Sequence, residues 1–115
     1  MLNVPDELEF LDFFGSEPVE SAPEDGYFCY KAVNERGGIE LFFSFHEIEG
    51  SIQSRLVLNN EELMVVSGEC VEEIRMQRDA SGEYLSCLFN VTGVESKASV
   101  YIRPRLKIKW HMIQK

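Results

Sequence analysis

The chain has 115 residues, of which 44% are hydrophobic and 27% are charged. This length predicts one domain, residues 1–115, and this composition is typical of a globular protein and excludes an intrinsically disordered one. Twenty Asp and Glu residues against eleven Lys and Arg residues give a net charge of −9. Such a charge argues against partners that are nucleic acids or anionic membrane surfaces.

The amino-terminal residues do not form a basic segment followed by a long apolar one. No run in the sequence approaches the roughly 20 apolar residues of a membrane-spanning helix. We therefore expect a cytoplasmic protein. Cys29, Cys70 and Cys87 form no CxxC motif, so we predict free thiols and neither a disulfide framework nor a zinc site.

The first 26 residues predict a short helix followed by an acidic loop. In residues 5–14, Leu8 and Leu11 share a helical stripe with Phe10 or Phe14. A proline suited to the first turn precedes them, and Gly15 is expected to end the helix, so residues 1–15 form the helical segment. Residues 16–26 contain two prolines and four acids, which predicts a connecting loop.

Residues 27–113 predict an antiparallel sheet, because apolar and polar residues alternate and turn residues recur at short intervals. The predicted strands span residues 27–33, 39–47, 52–59, 63–67, 71–78, 84–91, 97–103 and 106–113. The predicted inward residues of the second strand are Ile39, Leu41, Phe43 and Phe45. Those of the sixth are Leu85, Cys87, Phe89 and Val91. Pro104 must lie at an edge or a strand boundary, because proline cannot donate to a ladder.

These elements predict an α+β fold, in which the short amino-terminal helix packs on a curled antiparallel meander of about eight strands. The pattern leaves an open sheet, a barrel-like closure and a two-sheet sandwich as alternatives. Only a closed sheet would enclose a cavity for a small ligand, whereas an open sheet leaves a second face for a partner.

No arrangement of residues in the sequence points to catalysis. His46 and His111 lie opposite the apolar positions of their strands, and no Ser or Cys motif accompanies them. Side chains on a strand point alternately to its two faces, so His46 lies on the face opposite Glu47 and Glu49. These three residues therefore do not form a metal site. We therefore predict that the protein is not an enzyme and has no catalytic residues, no metal and no cofactor.

Charge is distributed unevenly along the chain. Residues 1–73 hold seventeen acids and three bases, whereas residues 74–115 hold three acids and eight bases. Arg103, Arg105, Lys107 and Lys109 alternate with apolar residues, which is typical of a solvated sheet face. The acidic half is either a solubilising surface or a docking field for a basic partner.

Phe42 favours the docking hypothesis. It shares the face opposite the core with Glu40 and His46, and an aromatic residue among polar ones is typical of an interface hot spot. Coverage of Phe42 by the helix or by the acidic loop is the alternative. The candidate partner-binding residues are Glu40, Phe42, His46, Glu47, Glu49, Glu61, Glu62, Glu69, Glu72 and Glu73.

Over most of its length the chain resembles the small acidic immunity proteins of bacterial polymorphic and contact-dependent growth inhibition toxin systems. The resemblance lies in the order of a helix with the sequence ELEFLDFFG, an acidic loop, the strand sequence GIELFFSF and a meander. It implies a cytosolic antidote that binds one cognate toxin domain as a monomer in a 1:1 complex and blocks its active site. Many such toxins are nucleases with basic clefts, and an immunity gene normally follows its toxin gene. The basic carboxy-terminal stripe departs from a uniformly acidic surface.

Two other functions fit the composition. An acidic secretion chaperone or adaptor would also need a small α+β body, and it would dimerise through an apolar surface. A small-ligand-binding protein would require the meander to close around a pocket.

Overall fold

The computed structural model describes residues 2–34 and 38–112. One helix, α1 (Glu7–Phe14), precedes the strands. The first strands are β1 (Glu20–Ala22), β2 (Tyr27–Val33), β3 (Ile39–His46), β4 (Ser51–Leu58) and β5 (Glu61–Gly68). They are followed by β6 (Val71–Asp79), β7 (Gly82–Val91), β8 (Val94–Arg103) and β9 (Lys107–Met112). The last predicted strand also included Ile113, which lies outside the described residues.

The strands form two antiparallel meanders. The first sheet has five strands in the order β1-β2-β3-β4-β5, and the second has four in the order β6-β7-β8-β9. The meander with one short helix is thereby confirmed, and β1 is an additional strand inside the predicted acidic loop. In the described part of the chain no ladder joins the two sheets, so the barrel-like closure is not formed. The small-ligand hypothesis depended on that closure.

Local capping interactions determine where helix α1 begins and ends. The Asp6 carboxylate accepts a hydrogen bond from the Glu9 amide at 2.8 Å, and the Glu9 carboxylate accepts one from the Asp6 amide at 3.2 Å. This capping box satisfies amides that have no partner within the helix. Asp6, and not a proline in the first turn, is therefore the residue that starts the helix. Gly15 ends it in the left-handed conformation with φ 72°, as predicted.

The buried face of α1 agrees with the predicted stripe at Phe10 and differs from it at the two leucines. Leu8 is 75% exposed and Leu11 is 37% exposed, whereas Phe10 and Phe13 are buried. The Phe10 ring stacks on Tyr30 of β2, with ring centroids 4.8 Å apart. The helix therefore buries its aromatic rings, which remove more apolar surface from water than the leucines would.

A single cluster of buried side chains from α1 and from the facing sides of both sheets forms the core. Most predicted inward residues of β3 and β7 are buried: Leu41, Phe43, Phe45, Leu85, Cys87 and Phe89. Val91 is 49% exposed, so its predicted inward position is wrong. It is the last residue of β7, beyond the buried positions of the strand, and leads directly into the turn before β8.

The two sheets approach each other closely where β5 ends. A Cβ atom at Gly68 would overlap the rings of Phe89 and Trp110 from the second sheet, so only glycine fits this position. The chain then crosses through Glu69 and Cys70 to β6, and the Val71 amide donates to the Gly50 carbonyl at 2.9 Å. These contacts place the β3–β4 turn beside the start of β6.

Candidate partner-binding surface

Backbone hydrogen bonds bring several segments together at one end of the molecule. The Glu47 amide donates to the Gly26 carbonyl at 2.9 Å, which joins the β3–β4 turn to the 3-10 turn Pro23–Asp25. The Asn3 amide donates to the Glu72 carbonyl at 3.1 Å, which joins the amino terminus to β6. Segments distant in sequence therefore present their side chains on one surface.

This surface is strongly acidic, and we call it the acidic end. It comprises Glu24, Asp25, Glu47, Glu49, Glu69, Glu72 and Glu73. Only Glu73 forms an ion pair within the described residues, with Arg75 at 2.7 Å. The other acidic side chains leave their charge available to a partner, and a cluster of like charges creates a field that attracts cations over a long range.

One acidic residue elsewhere in the described structure, Glu83, is neutralised by two neighbouring bases. Glu83 binds the guanidinium groups of Arg103 and of Arg78, the latter at 2.5 Å. These two bonds, that from Arg103 above all, lower the pKa of the Glu83 carboxyl. Arg103 also donates to the Phe13 carbonyl at 2.8 Å, so this cluster fastens the end of α1 to β8. Among the described residues, the acidic end has no comparable arrangement of bases.

Phe42 lies on the outer face of the first sheet, between two cations. Its ring centroid is 4.9 Å from the Arg55 guanidinium carbon and 5.8 Å from the Lys31 ammonium nitrogen. Lys31 also pairs with Glu40 at 2.5 Å, and Arg55 pairs with Glu62 at 3.9 Å. Helix α1 packs on the opposite face of this sheet, so the helix does not cover Phe42.

The structure divides the predicted binding residues into three groups. Those at the acidic end are Glu47, Glu49, Glu69, Glu72 and Glu73, with His46 at its rim. His46 stacks on Tyr27 with ring centroids 4.6 Å apart. Glu40 and Phe42 lie on the outer face of the first sheet, whereas Glu61 and Glu62 lie at the opposite end of β4 and β5, about 25 Å along the strands.

Sequence reasoning missed Glu24, Asp25 and Ile48 as members of this surface. Glu24 and Asp25 were assigned to the loop, and only the bond between Gly26 and Glu47 brings them to the acidic end. Ile48 is 65% exposed between Glu47 and Glu49 at the tip of the β3–β4 turn. An isoleucine inside an acidic turn is the sequence signal that could have identified it, since turns favour polar residues.

Three lysines of the carboxy-terminal half lie on the outer face of the second sheet. Tyr84 and Tyr101 stack there with centroids 4.5 Å apart. The Lys107 and Lys109 ammonium nitrogens lie 4.4 and 5.5 Å from the Tyr101 centroid, and that of Lys97 lies 5.9 Å from the Tyr84 centroid. Arg103 departs from the predicted stripe, because it is bound to Glu83 and Phe13. Lys97, Lys107 and Lys109 therefore form a basic surface around the two tyrosines.

Among the described residues, no group of three or more His, Cys, Asp or Glu side chains is placed to hold a metal ion. No helix within residues 2–34 and 38–112 is long and apolar enough to cross a membrane. Of the free cysteines, Cys29 and Cys87 are buried and Cys70 is exposed.

Comparison with known proteins gives one informative match. No protein-family model matches the chain, and no curated protein matches it. Among solved structures, the chain is similar to a protein of the contact-dependent growth inhibition toxin - immunity protein complex from Klebsiella pneumoniae 342. The TM-score is 0.89 and the sequence identity is 33%, over 97% of this chain and 97% of that chain.

Proposed function

Because the chain belongs to the immunity proteins of contact-dependent growth inhibition systems, we propose that it binds and neutralises a cognate toxin domain in the cytoplasm. The observation that carries this proposal is the agreement with the Klebsiella protein in both sequence and fold over nearly the whole chain. That protein was solved in a complex of toxin and immunity protein. The cognate toxin of this chain is then the domain encoded directly upstream of its gene.

The acidic end is the surface proposed to meet the toxin. Its unpaired carboxylates would imitate the phosphates of a nucleic acid in the basic cleft of a nuclease, and so keep the substrate out. Complementary charge would also speed the encounter, since electrostatic steering raises association rate constants by up to about a thousandfold. Ile48, exposed between Glu47 and Glu49, would add an apolar anchor that becomes buried on binding.

In this proposal the protein acts by occupying the toxin and carries out no reaction of its own. One copy would bind one toxin domain, as a monomer in a 1:1 complex. The inhibited fraction of toxin would then depend on the molar ratio of this chain to the toxin domain. Inhibition would need no metal or cofactor.

Growth of bacteria that express the toxin domain tests the proposal. The upstream toxin domain alone is expected to arrest growth, and coexpression of this chain is expected to restore it. The matched control is a toxin domain of a different immunity group, which this chain should not neutralise. Growth arrest that persists while the chain accumulates in folded form would contradict the proposal.

A further inference from the structure

Residues 2–34 and 38–112 form two sheets with four edges, and three of these edges are protected against another strand. β1 has only three residues. β6 is bridged by Asn3, whose carbonyl accepts from the Ile74 amide at 2.9 Å. β9 alternates Lys107 and Lys109 with apolar residues, and lysines on an edge discourage pairing.

The edge of β5 lacks such protection. It is eight residues long, and within the described chain its outer edge has no strand or backbone partner. Leu63, Met64 and Val65 are 55%, 43% and 41% exposed, and no charged residue lies between Glu62 and Glu69. A long, exposed, apolar edge is a template for an added strand, which would gain main-chain hydrogen bonds and apolar contacts together.

The charges at the two ends of β5 indicate which strand fits. Glu61 and Glu62 lie at its start, and Glu69 follows its end. Two copies of β5 paired about a two-fold axis would place Glu61 and Glu62 of one copy near Glu69 of the other, and opposed like charges destabilise a strand pair. A strand with an apolar middle and basic ends would match the same edge.

We infer that β5 receives an extended segment of the toxin domain, apolar in its middle and basic at its ends, which pairs with β5 as a sixth strand of the first sheet. This inference rests on the proposed function. It places the toxin against one continuous surface, because Gly68 leads directly into Glu69 of the acidic end. The added strand would explain why the edge of β5 is apolar and unprotected, since such an edge on a protein without a partner promotes aggregation.

β9 of a second copy has part of the required chemistry, since Lys107 and Lys109 flank Ile108. Pairing of β5 with another copy's β9 joins two different surfaces, so it leaves a free β5 and a free β9 at the ends of every assembly. Such contacts propagate into open chains and do not close. The toxin segment is therefore the occupant that fits a closed complex.

Hydrogen exchange of the chain alone, and in complex with the toxin domain encoded upstream of it, tests the inference. The β5 amides that point away from β4 are expected to exchange about tenfold more slowly, or slower still, in the complex. The exchange of the β1 amides should not change.

Protection of the acidic end with unchanged β5 exchange would overturn this inference and leave the proposed function intact. Absence of any binding by the folded chain would overturn both, and β5 protection that rises with concentration of the chain alone would assign the edge to a second copy.

A matched pair of variants provides an independent readout. Leu63→Lys places a cation at the proposed contact and is expected to weaken toxin affinity about tenfold. Val33→Lys places the same charge at a valine of the first sheet that is 57% exposed and distant from β5, and should leave the affinity within about twofold. Both variants should keep the melting temperature of the parent chain. Equal affinities for the two folded variants would overturn the inference.

Discussion

Replacement of Phe10 by alanine is expected to lower the free energy of unfolding by about 3–5 kcal/mol. Phe10 is 1% exposed, and its ring stacks on Tyr30 at 4.8 Å and on Phe45 at 5.1 Å between centroids. The truncated side chain would leave a cavity between α1 and the first sheet, because the two stacked rings are held by their own strands. Domains of this size are stable by only about 5–15 kcal/mol, so the loss is a large fraction of the total.

Urea denaturation followed by circular dichroism measures this effect. Leu8→Ala is the matched control, because Leu8 lies in the same helix and is 75% exposed. It is expected to change the free energy of unfolding by no more than about 0.5 kcal/mol. Similar losses for the two variants would show that α1 is not anchored through Phe10.

Reversal of three charges at the acidic end is expected to slow association with the toxin about a hundredfold at low salt. The variant carries Glu49→Lys, Glu69→Lys and Glu72→Lys, all at exposed residues that form no ion pair within the described chain. The dissociation rate constant should change less, because steering acts before contact. The difference from the parent chain should shrink as salt rises and the Debye length falls below about 10 Å. Stopped-flow or surface plasmon resonance at several salt concentrations measures it.

A control with the same net charge separates local from global effects. Glu7→Lys, Asp12→Lys and Glu17→Lys reverse three exposed acids in and after α1. This variant is expected to slow association several times less than the first. Equal slowing by both variants would mean that net charge matters and the position of the acids does not.

The alternation of apolar and polar residues predicted the inward residues correctly in strands that bury only one face along their whole length. Leu41, Phe43 and Phe45 face the core because β3 lies between two other strands and alternates strictly. In α1 the spacing predicted that Leu8 and Leu11 share a stripe with Phe10 or Phe14, whereas the buried residues are Phe10 and Phe13. Contacts with Tyr30 on a distant strand select the aromatic rings, and the helix sequence alone does not contain that information.

The candidate surface was only partly predictable for a related reason. Acidic residues could be located in the turns, but strand periodicity does not say which turns share an end across two sheets. The chain crosses between the sheets at Glu69 and Cys70, where φ of Cys70 is 60°, and this crossing places Glu72 beside Glu49. The sequence at these two residues does not indicate a boundary between sheets. β4 and β5 are each eight residues long, so Glu61 and Glu62 lie at the end of the first sheet opposite the acidic end.

On the proposal that the toxin is a nuclease, titration of the purified toxin domain with the purified chain tests most directly whether the chain neutralises its toxin through the acidic end. The readout is cleavage of nucleic acid. Neutralisation by occupation of the cleft predicts that cleavage falls linearly and ends at one equivalent of the chain. At the same concentrations and low salt, the variant with Glu49, Glu69 and Glu72 reversed should inhibit far less. Full cleavage in the presence of excess folded chain would contradict neutralisation, and equal inhibition by the parent and the variant would contradict the role of the acidic end.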